Sequence, residues 1–331
     1  MISAQSHQLF RDLLDGARRI VLTTHINPDG DAIGSQVSLG SFLVQGGKQV
    51  QIINQDSSPD NLRFLENAEL PVQSFETERH ESILRDADLI ILVDNSAPDR
   101  LGSMEAPMGA VAAKTLCIDH HPARNAPWAH NIVDVDSCAT TVMIYELTRG
   151  CGWTPDLVSA EAIYVGLATD TGFFRFNSTN ADGHVVAAEL LRLGVQPARA
   201  YGEVYEQNSV AFTRLLGHAL ANLRLDADGA VASVTLDRSL IDRLAAQNED
   251  TSEITTTLLA LDGVRVVMLF RELADGRVKV SLRSKGELDV HQLATEFGGG
   301  GHRNASGIVL TGRLDQVVPT IIARAESLVA L

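Results

Sequence analysis

The first half of the chain alternates short apolar runs with longer amphipathic segments. This pattern predicts parallel strands joined by helices, because parallel strands need long crossover connections. The strands are expected at Arg19–Thr24, Val50–Asn54, Leu89–Asp94 and Thr115–Asp119, and helices at Ala32–Gln45 and Ala139–Thr148. Residues 1–185 are therefore predicted to form an α/β domain with a doubly wound, mainly parallel sheet.

A different pattern begins in the second half of the chain. Residues 186–215 predict two helices separated by a break at Gly194 and Pro197, and we interpret them as a helical connector. After them, alternating strand-like segments are joined by D-A-D-G and A-D-G, which are strong hairpin signals. An amphipathic helix is expected near Arg313–Leu331. Residues 216–331 are thus predicted to form a smaller mixed-sheet α/β domain.

Length and charge limit the kinds of function. A chain of 331 residues has room for about two domains, each with its own core. The 27 basic and 42 acidic residues leave a net charge of -15, which argues against a protein that coats long duplex nucleic acid. Short anionic ligands remain compatible with this charge, since one arginine-lined pocket can bind them.

Cysteines and apolar stretches indicate the compartment. The three cysteines show no C-x-x-C spacing, which predicts neither a disulfide framework nor a zinc knuckle and fits a reducing compartment. The N-terminal segment lacks an export signal, and the longest apolar stretches are far shorter than the ~20 residues of a membrane span. We expect a cytoplasmic protein without a membrane partner.

Metal-type ligands follow the first predicted strand. In T-H-I-N-P-D-G-D-A-I-G-S, His25, Asp29 and Asp31 lie within seven residues, between a strand and a helix. Gly30 is expected to tighten the turn, and Gly34 to let the helix approach its neighbours closely. The alternative is a helix N-cap, in which Asp31 accepts from free backbone N–H groups and His25 has no special role.

Three later segments carry the same residue types. Asp94 ends the apolar strand LIILVD, while Asp119, His120 and His121 end the next strand in D-H-H-P. Asp170 follows another apolar segment, in A-T-D-T-G, where a turn is expected. Open α/β sheets bind ligands at the carboxyl edge of their strands. We therefore predict that these segments form one site rather than several unrelated structural features.

The predicted ligands suit divalent metal ions. The six predicted ligands are His25, Asp29, Asp31, Asp94, His120 and Asp170. They suffice for two metal ions if one carboxylate bridges the two ions. A set of Asp and His without thiolate favours Mn²⁺; Mg²⁺, Co²⁺ and Fe²⁺ are compatible, and Zn²⁺ is less so. Two such ions promote phosphoester hydrolysis. His121 is predicted to act as general acid or phosphate contact, and Asp119 to orient an imidazole.

These motifs together resemble the DHH phosphoesterase superfamily over nearly the whole chain. The resemblance rests on H-x-N-P-D-G-D-A-I-G-S, V-D-N-S, D-H-H-P and A-T-D-T-G-F-F. It implies that one ion is bound by His25, Asp29 and Asp94, and the other by Asp31, Asp94, His120 and Asp170, with Asp94 bridging. No required motif residue is missing, which argues against a non-catalytic member.

A glycine-rich run in the second half, F-G-G-G-G-H-R-N-A-S-G, resembles the signature of the DHH-associated C-terminal domain. By itself such a run can equally be a flexible loop, and a strand arginine such as Arg271 can simply face solvent. The resemblance implies a domain that binds a nucleotide or a nucleic-acid end, with the active site in the interdomain cleft. The expected substrate-binding residues are Arg271, Arg283, Ser284, Gly299, Gly300, Gly301, His302 and Ser306.

The resemblance also narrows the subclass. RecJ-like exonucleases carry additional modules, family II pyrophosphatases lack the glycine signature, and membrane-bound cyclic di-AMP phosphodiesterases have transmembrane segments. The stand-alone nanoRNase group remains, which implies a prokaryotic Mn²⁺ enzyme. Its expected substrates are short oligoribonucleotides, dinucleotides such as pApA, and the nucleoside bisphosphate pAp. A cyclic di-AMP phosphodiesterase and a nucleotide-binding sensor without turnover are the alternatives, and a homodimer is compatible with the family.

Overall fold

Six parallel strands form the sheet of Met1–Gln207, the first of two compact units into which the chain divides; the second is Asn208–Leu331. The computed structural model describes residues 2–66, 69–122 and 126–330. The strands of the first unit are β1 (Arg19–Thr23), β2 (Gln49–Asn54), β3 (Val72–Ser74), β4 (Leu89–Val93), β5 (Thr115–Asp119) and β6 (His130–Val133). Their order, β3-β2-β1-β4-β5-β6, is doubly wound, which confirms the predicted fold class.

Helices cover both faces of this sheet. They are α1 (Ala4–Asp15), α2 (Gly30–Gln45), α3 (Thr77–Asp86), α4 (Glu105–Ala110), α5 (Thr140–Gly150), α6 (Leu157–Asp170), α7 (Ala181–Arg192) and α8 (Pro197–Tyr205). Apolar side chains of α1, α2 and α5 pack on one face, and those of α3 and α4 pack on the other. Helices α6, α7 and α8 form a further layer whose core includes Ile33 and Val37 of α2. The strands are therefore buried on both faces, which explains their continuous apolar runs.

Every strand predicted in the first half forms, with ends within one residue of the prediction. The short strands β3 and β6 were not predicted. Both lie at the edges of the sheet, and each is only partly buried. Since an edge strand is held by hydrogen bonds to one neighbour, its sequence needs no long apolar run.

The second unit contains a mixed sheet with the order β11-β12-β10-β9-β8-β7. Its strands are β7 (Arg224–Asp226), β8 (Val231–Leu236), β9 (Val266–Glu272), β10 (Arg277–Ser284), β11 (Gly300–His302) and β12 (Ala305–Thr311). Only the β8–β9 pair is parallel among these strands, and the two predicted Asp-Gly hairpins join β7 to β8 and β9 to β10. The mixed sheet confirms the predicted class.

Helices of the second unit differ in what they cover. They are α9 (Val210–Ala221), α10 (Arg238–Arg243), α11 (Ser252–Leu259), α12 (Val290–Glu296) and α13 (Leu314–Val329). Helices α12 and α13 pack on one face of the sheet, and α9 to α11 cover β8 and β9 on the other. The predicted closing helix thus forms, although its predicted last residue, Leu331, lies outside the described residues.

The segment predicted as a connector contains parts of three helices. Residues 186–215 span the end of α7, all of α8 and the start of α9, and Pro197 is the first residue of α8. Val186 and Val204 join the core of the first unit, whereas Phe212 joins that of the second. No helix among the described residues is both long enough and apolar enough to cross a membrane.

Candidate functional site

Three neighbouring strands end at one edge of the first unit's sheet. His25 lies two residues after β1, Asp94 follows β4 directly, and Asp119 is the last residue of β5, with His120 and His121 after it. Strands β1 and β4 meet where the strand order reverses, the point at which open α/β sheets bind ligands. Asp94 adopts a left-handed backbone with φ 55°, a conformation uncommon outside glycine that recurs at functional sites.

The two aspartates of the first motif have different backbone partners. Asp29 is the N-cap of α2, and its Oδ1 accepts from the backbone N–H groups of Asp31 and Ala32, both at 3.1 Å. Asp31 is buried and accepts instead from the backbone N–H groups that begin α5, Thr140 at 2.6 Å and Thr141 at 2.8 Å. The N-cap alternative was therefore wrong about the helix: Asp29 caps α2, while Asp31 accepts from the free N–H groups of α5 and also lies inside the site.

Close packing of α2 on α6 brings Asp170 to the same site. A Cβ atom at Gly34 would lie 2.4 Å from the carbonyl oxygen of Ala162, so only glycine permits the approach that the sequence predicted there. Gly30, expected to tighten a turn, is the first residue of α2, and its missing Cβ makes room for Thr169. Because Asp170 is the last residue of α6, this packing places its carboxylate at the sheet edge.

The structure brings all six predicted metal ligands together. Ligand atoms within 4.8 Å of one another form groups that include His25–Asp29–Asp94 and Asp31–His120–Asp170. Asp94 connects these two groups, since its Oδ2 lies 3.4 Å from His25 Nε2 and its Oδ1 lies 3.7 Å from His120 Nε2. We call these six residues the carboxylate–imidazole cluster.

The two imidazoles of the cluster are oriented for metal binding. His120 Nδ1 lies 3.1 Å from the carbonyl oxygen of Ser137, and His25 Nδ1 lies 2.7 Å from that of Ile26. An N–H donated to each carbonyl leaves Nε2 as the free ligand atom. The buried Nε2 of His120 has no hydrogen-bond partner among the described residues. An unpartnered acceptor surrounded by carboxylates fits a bound cation.

The electrostatics of the cluster also fit a bound cation. Burial raises the pKa of Asp31 and Asp94, and the neighbouring carboxylates raise the pKa of Asp94 further. Burial together with Asp31 raises the pKa of Asp170 to about 7. So many buried carboxylates repel one another unless positive charge is bound among them. The residues present therefore fit divalent metal ions.

His121 and Asp119 form a hydrogen-bonded pair beside the cluster. Asp119 is fully buried, and its Oδ1 lies 2.9 Å from His121 Nδ1 and accepts from the backbone N–H of His121 at 3.0 Å. His121 is half-exposed, with Nδ1 3.5 Å from Asp94 Oδ1. The hydrogen bond to Asp119 raises the pKa of His121. Asp119 is thus hydrogen-bonded to an imidazole, as its predicted orienting role requires, and the catalytic roles of both residues stay predictions.

In the second unit, strand register separates the predicted binding residues into two groups. Arg283 pairs with Ala305, which pairs with His302, so all three lie in one row on the same face of the sheet. Gly307 and Gly300 occupy the adjacent row. We call this surface of β10, β12 and β11 the open face, because His302 and Gly300 are exposed on it.

Two predicted binding residues lie on the opposite face, where α12 and α13 pack. Ser284 is buried; its hydroxyl donates to the carbonyl oxygen of Leu288 and accepts from the side-chain amide of Asn304. The Ser306 hydroxyl donates to the carbonyl oxygen of His302 at 2.8 Å. Because side chains alternate along a strand, these serines point away from Arg283 and support the glycine-rich loop.

The glycine run is required by close backbone contacts. A Cβ atom at Gly299 would lie 2.2 Å from the carbonyl oxygen of Gly307. Gly301 has φ 139°, and a Cβ atom there would lie 2.5 Å from the carbonyl oxygen of Ala305. A Cβ atom at Gly300 would meet nothing within 4 Å. Gly299 and Gly301 therefore serve packing, while Gly300 leaves backbone accessible on the open face.

Arg271 has partners within its own unit. Its guanidinium donates to the carbonyl oxygens of Glu249 at 2.8 Å and Ala246 at 3.2 Å, and also to that of Gln247. These hydrogen bonds attach the segment before α11 to strand β9. The structure gives Arg271 this structural role, so we do not carry it forward as a substrate ligand.

Comparison with known proteins identifies the family. The model of the DHH family, N-terminal domain, matches residues 19–167, and that of the DHHA1 domain matches residues 229–331. The Bacillus subtilis bifunctional oligoribonuclease and PAP phosphatase NrnA is 30% identical over 292 residues, covering 87% of this chain and 88% of the relative. The Thermus thermophilus protein of the same name is 31% identical over 307 residues, covering 92% and 88%. This chain belongs to the DHH family.

A solved structure agrees with the family assignment. The exopolyphosphatase-related protein from Bacteroides fragilis superposes with a TM-score of 0.89 at 29% identity, covering 99% of this chain and 97% of that protein. The chain is therefore a DHH family phosphoesterase, as the sequence motifs indicated, and its cluster has the ligand types of a metal site.

Metal binding in this DHH phosphoesterase is expected to depend on pH. Raised carboxyl pKa values mean that the metal-free folded state holds more protons than the unfolded state, so its stability should fall from about pH 5 to about pH 7.5. Mn²⁺ binds the deprotonated carboxylates, so the increase in Tm on adding Mn²⁺ should be larger at the higher pH. Thermal unfolding with EDTA and with Mn²⁺ at both pH values measures this.

Asp170→Asn is the control variant for that measurement. It removes the carboxyl whose pKa lies at about 7, and it should therefore reduce both the fall in stability with EDTA and the gain with Mn²⁺. Equal gains in Tm at the two pH values in the original protein would show that the cluster does not take up Mn²⁺ in competition with protons.

Three residues of the DHH site were not predicted from the sequence. The Thr140 hydroxyl donates to Asp94 Oδ1 at 3.0 Å, Ser137 supplies the carbonyl oxygen beside His120, and Arg100 Nη2 lies 3.1 Å from His25 Nδ1. The run S-C-A-T-T, small hydroxyl residues just before a helix, was a usable signal for the first two. Nothing in the local pattern distinguishes Arg100 from the other arginines.

Proposed function

We propose that this DHH phosphoesterase is a Mn²⁺-dependent hydrolase of short oligoribonucleotides and of dinucleotides such as pApA, which it converts to mononucleotides. We further propose that it removes the 3′ phosphate of pAp. The observation that carries the proposal is the connection of two ligand groups through Asp94, with His121 beside them. The names of the NrnA relatives, which describe an oligoribonuclease and PAP phosphatase, support these substrates.

Two metal ions would be held by the carboxylate–imidazole cluster. His25, Asp29 and Asp94 form one ligand group, and Asp31, His120 and Asp170 together with Asp94 form the other. Carboxylates and imidazoles without thiolate suit Mn²⁺. The chemistry that such a pair of ions supplies is ionisation of a water molecule and stabilisation of negative charge on phosphorus.

His121 is proposed to protonate the leaving group. Asp119 holds Nδ1, which leaves the proton on Nε2 for transfer, and its hydrogen bond favours the imidazolium form by raising the pKa of His121. Hydrolysis breaks one P–O ester bond; water supplies the new oxygen on phosphorus, and Nε2 gives its proton to the departing ester oxygen. Asp119 stays ionised and keeps the ring in position.

The open face of the second unit is proposed to bind the nucleotide part of the substrate. The Arg283 guanidinium has no hydrogen-bond or ion-pair partner among the residues that the structure describes, and His302 lies in the same row. Gly300 exposes backbone next to them. A free guanidinium beside accessible backbone suits a phosphate group, which it can bind through two parallel N–H donors.

Arg283→Ala should weaken substrate binding more than turnover. Loss of a charge-assisted contact of about 1.5–3 kcal/mol should raise KM for pApA by roughly 10- to 100-fold, with a smaller change in kcat. Steady-state kinetics measure both constants. Arg277→Ala is the matched control, since Arg277 lies on the same strand but is exposed and paired with Asp275. A KM equal to that of the control would exclude Arg283 from the binding site.

The substrate assignment is tested by time courses with Mn²⁺ on pApA, cyclic di-AMP, pAp and a five-residue RNA, resolved by chromatography. We expect pApA and the RNA to yield mononucleotides and pAp to yield AMP, while cyclic di-AMP persists. Faster loss of cyclic di-AMP would instead assign the protein to cyclic dinucleotide hydrolysis. Absence of turnover on all four, with bound metal, would favour a nucleotide sensor.

We also propose a cytoplasmic location. Cys117, Cys138 and Cys151 are all free thiols, and the first two are buried. Free thiols fit a reducing compartment. Labelling of Cys151 in intact cells by a permeant but not by an impermeant maleimide would support this location.

A further inference from the structure

Arg100 lies at the rim of the carboxylate–imidazole cluster without an acidic partner. Its carbonyl oxygen accepts from the backbone N–H of Ile26 at 2.8 Å, which ties the loop after β4 to the loop after β1. Its Nη2 lies 3.1 Å from His25 Nδ1. The side chain is exposed, and no carboxylate among the described residues pairs with it, although several lie in the nearby cluster.

The contact between Arg100 and His25 does not satisfy the guanidinium. His25 Nδ1 already faces the carbonyl oxygen of Ile26 at 2.7 Å, and Nε2 faces Asp94. When Nδ1 carries the hydrogen, both Nδ1 and the guanidinium are donors, and no hydrogen bond joins them. If Arg100 donated to Nδ1 instead, Nε2 would carry the hydrogen and could not bind a metal. In the metal-binding tautomer, Arg100 therefore lacks an acceptor here.

The loop that carries Arg100 is braced before any ligand binds. Asn95 exchanges two hydrogen bonds with the backbone of Ala97, both at 3.0 Å, and the Trp128 indole donates to the carbonyl oxygen of Ser96 at 3.0 Å. Together with the hydrogen bond from the Ile26 N–H to the Arg100 carbonyl oxygen, these contacts fix the backbone position from which the Arg100 side chain extends. A preorganised donor loses less entropy on binding its ligand.

Charge indicates the kind of ligand. The Arg100 guanidinium carries a positive charge 3.1 Å from His25 Nδ1, a member of the cluster. Divalent cations in the cluster would repel it. An anion placed between the cations and Arg100 removes this repulsion and supplies the missing acceptor, and the planar guanidinium matches phosphate oxygens.

We propose that Arg100 binds a non-bridging oxygen of the phosphate group that is hydrolysed at the cluster. This inference rests on the proposed phosphoester hydrolysis and adds a substrate-binding residue to it. Arg100 thus orients the phosphate against the metal ligands, while His121 serves the leaving group. Of the residues described, it is the arginine in contact with a cluster member.

Arg100→Gln, which keeps the length and some polarity of the side chain, tests the proposal. Mn²⁺ binding is measured by calorimetry without substrate, and inorganic phosphate binding by its effect on Tm in the presence of Mn²⁺. We expect unchanged Mn²⁺ stoichiometry and affinity, loss of the phosphate-dependent increase in Tm, and a fall of about a hundredfold in kcat/KM for pApA. Arg100→Lys should recover part of the loss.

Arg85→Gln is the matched control, because Arg85 is an exposed arginine on α3 with an i,i+4 partner, Glu81. Two results would overturn the inference: phosphate stabilisation equal to that of the control, or loss of Mn²⁺ binding in both Arg100 variants, which would make Arg100 a support for His25. If the original protein binds phosphate through Arg100 but hydrolyses no nucleotide, the proposed function fails, and of the inference only phosphate binding by Arg100 beside the cluster stands.

Discussion

Asp94→Asn is expected to abolish hydrolysis while the protein stays folded. The two oxygens of Asp94 face the two ligand groups, so an amide would remove the shared negative charge from both at once. Since metal ions contribute several kcal/mol of transition-state stabilisation, activity should fall by at least about a thousandfold. Asparagine tolerates the left-handed backbone at this position and can still accept from Thr140 through its carbonyl oxygen.

Stability measurements separate loss of chemistry from loss of fold in this variant. In EDTA its Tm should equal or exceed that of the original protein, because carboxylate repulsion in the cluster is relieved. The increase in Tm with Mn²⁺ should shrink. Asp60→Asn is the matched control, since Asp60 is an exposed carboxylate paired with Arg63. Activity within tenfold of that control would contradict the role of Asp94.

The second large effect is expected for His121→Asn. Loss of a general acid should lower kcat by about 10²- to 10⁴-fold with Mn²⁺ binding intact. The pH profile should also lose its alkaline limb, because that limb reports deprotonation of the acid. Steady-state kinetics across pH measure both effects. His218→Asn is a suitable control, since His218 is a histidine of α9 in the second unit.

The choice of leaving group identifies what His121 does. The nitrophenolate group leaves a nitrophenyl phosphodiester as an anion and needs no proton. The His121→Asn variant should therefore hydrolyse this substrate nearly as fast as the original protein does. A metal ligand or a structural residue would show no such rescue. Equal losses on pApA and on the nitrophenyl substrate would therefore reject His121 as the general acid.

The Asp119→Asn variant tests the same role of His121 through a smaller change, because it keeps the imidazole and removes only the carboxylate that is hydrogen-bonded to it. The hydrogen bond to Asp119 raises the pKa of His121, so its replacement should lower that pKa. The alkaline limb of the pH profile should then move to lower pH, with part of the activity retained on the acid side. A profile that does not move would show that Asp119 does not control the His121 proton.

The amino-acid sequence predicted the fold class and the members of the cluster for a simple physical reason. Buried parallel strands require continuous apolar runs, so a charged residue at the end of such a run marks the carboxyl edge of the sheet. Asp94 and His120 were found in this way. Edge strands such as Val72–Ser74 escaped detection, because one neighbour's hydrogen bonds hold them and their side chains stay partly exposed.

Side-chain partners were decided only by the tertiary structure. The sequence could not show that Asp31 accepts from the start of α5, because those residues lie 109 and 110 positions away. It placed Arg283 and Ser284 in one binding group, whereas strand alternation directs them to opposite faces.

Residue types in a local pattern thus determined which chemistry this DHH phosphoesterase can hold. The orientation of His120 and the position of Arg100 depend on contacts between separate segments of the chain, with Ser137 and His25 respectively. These contacts join residues far apart in the chain, so no local periodicity encodes them.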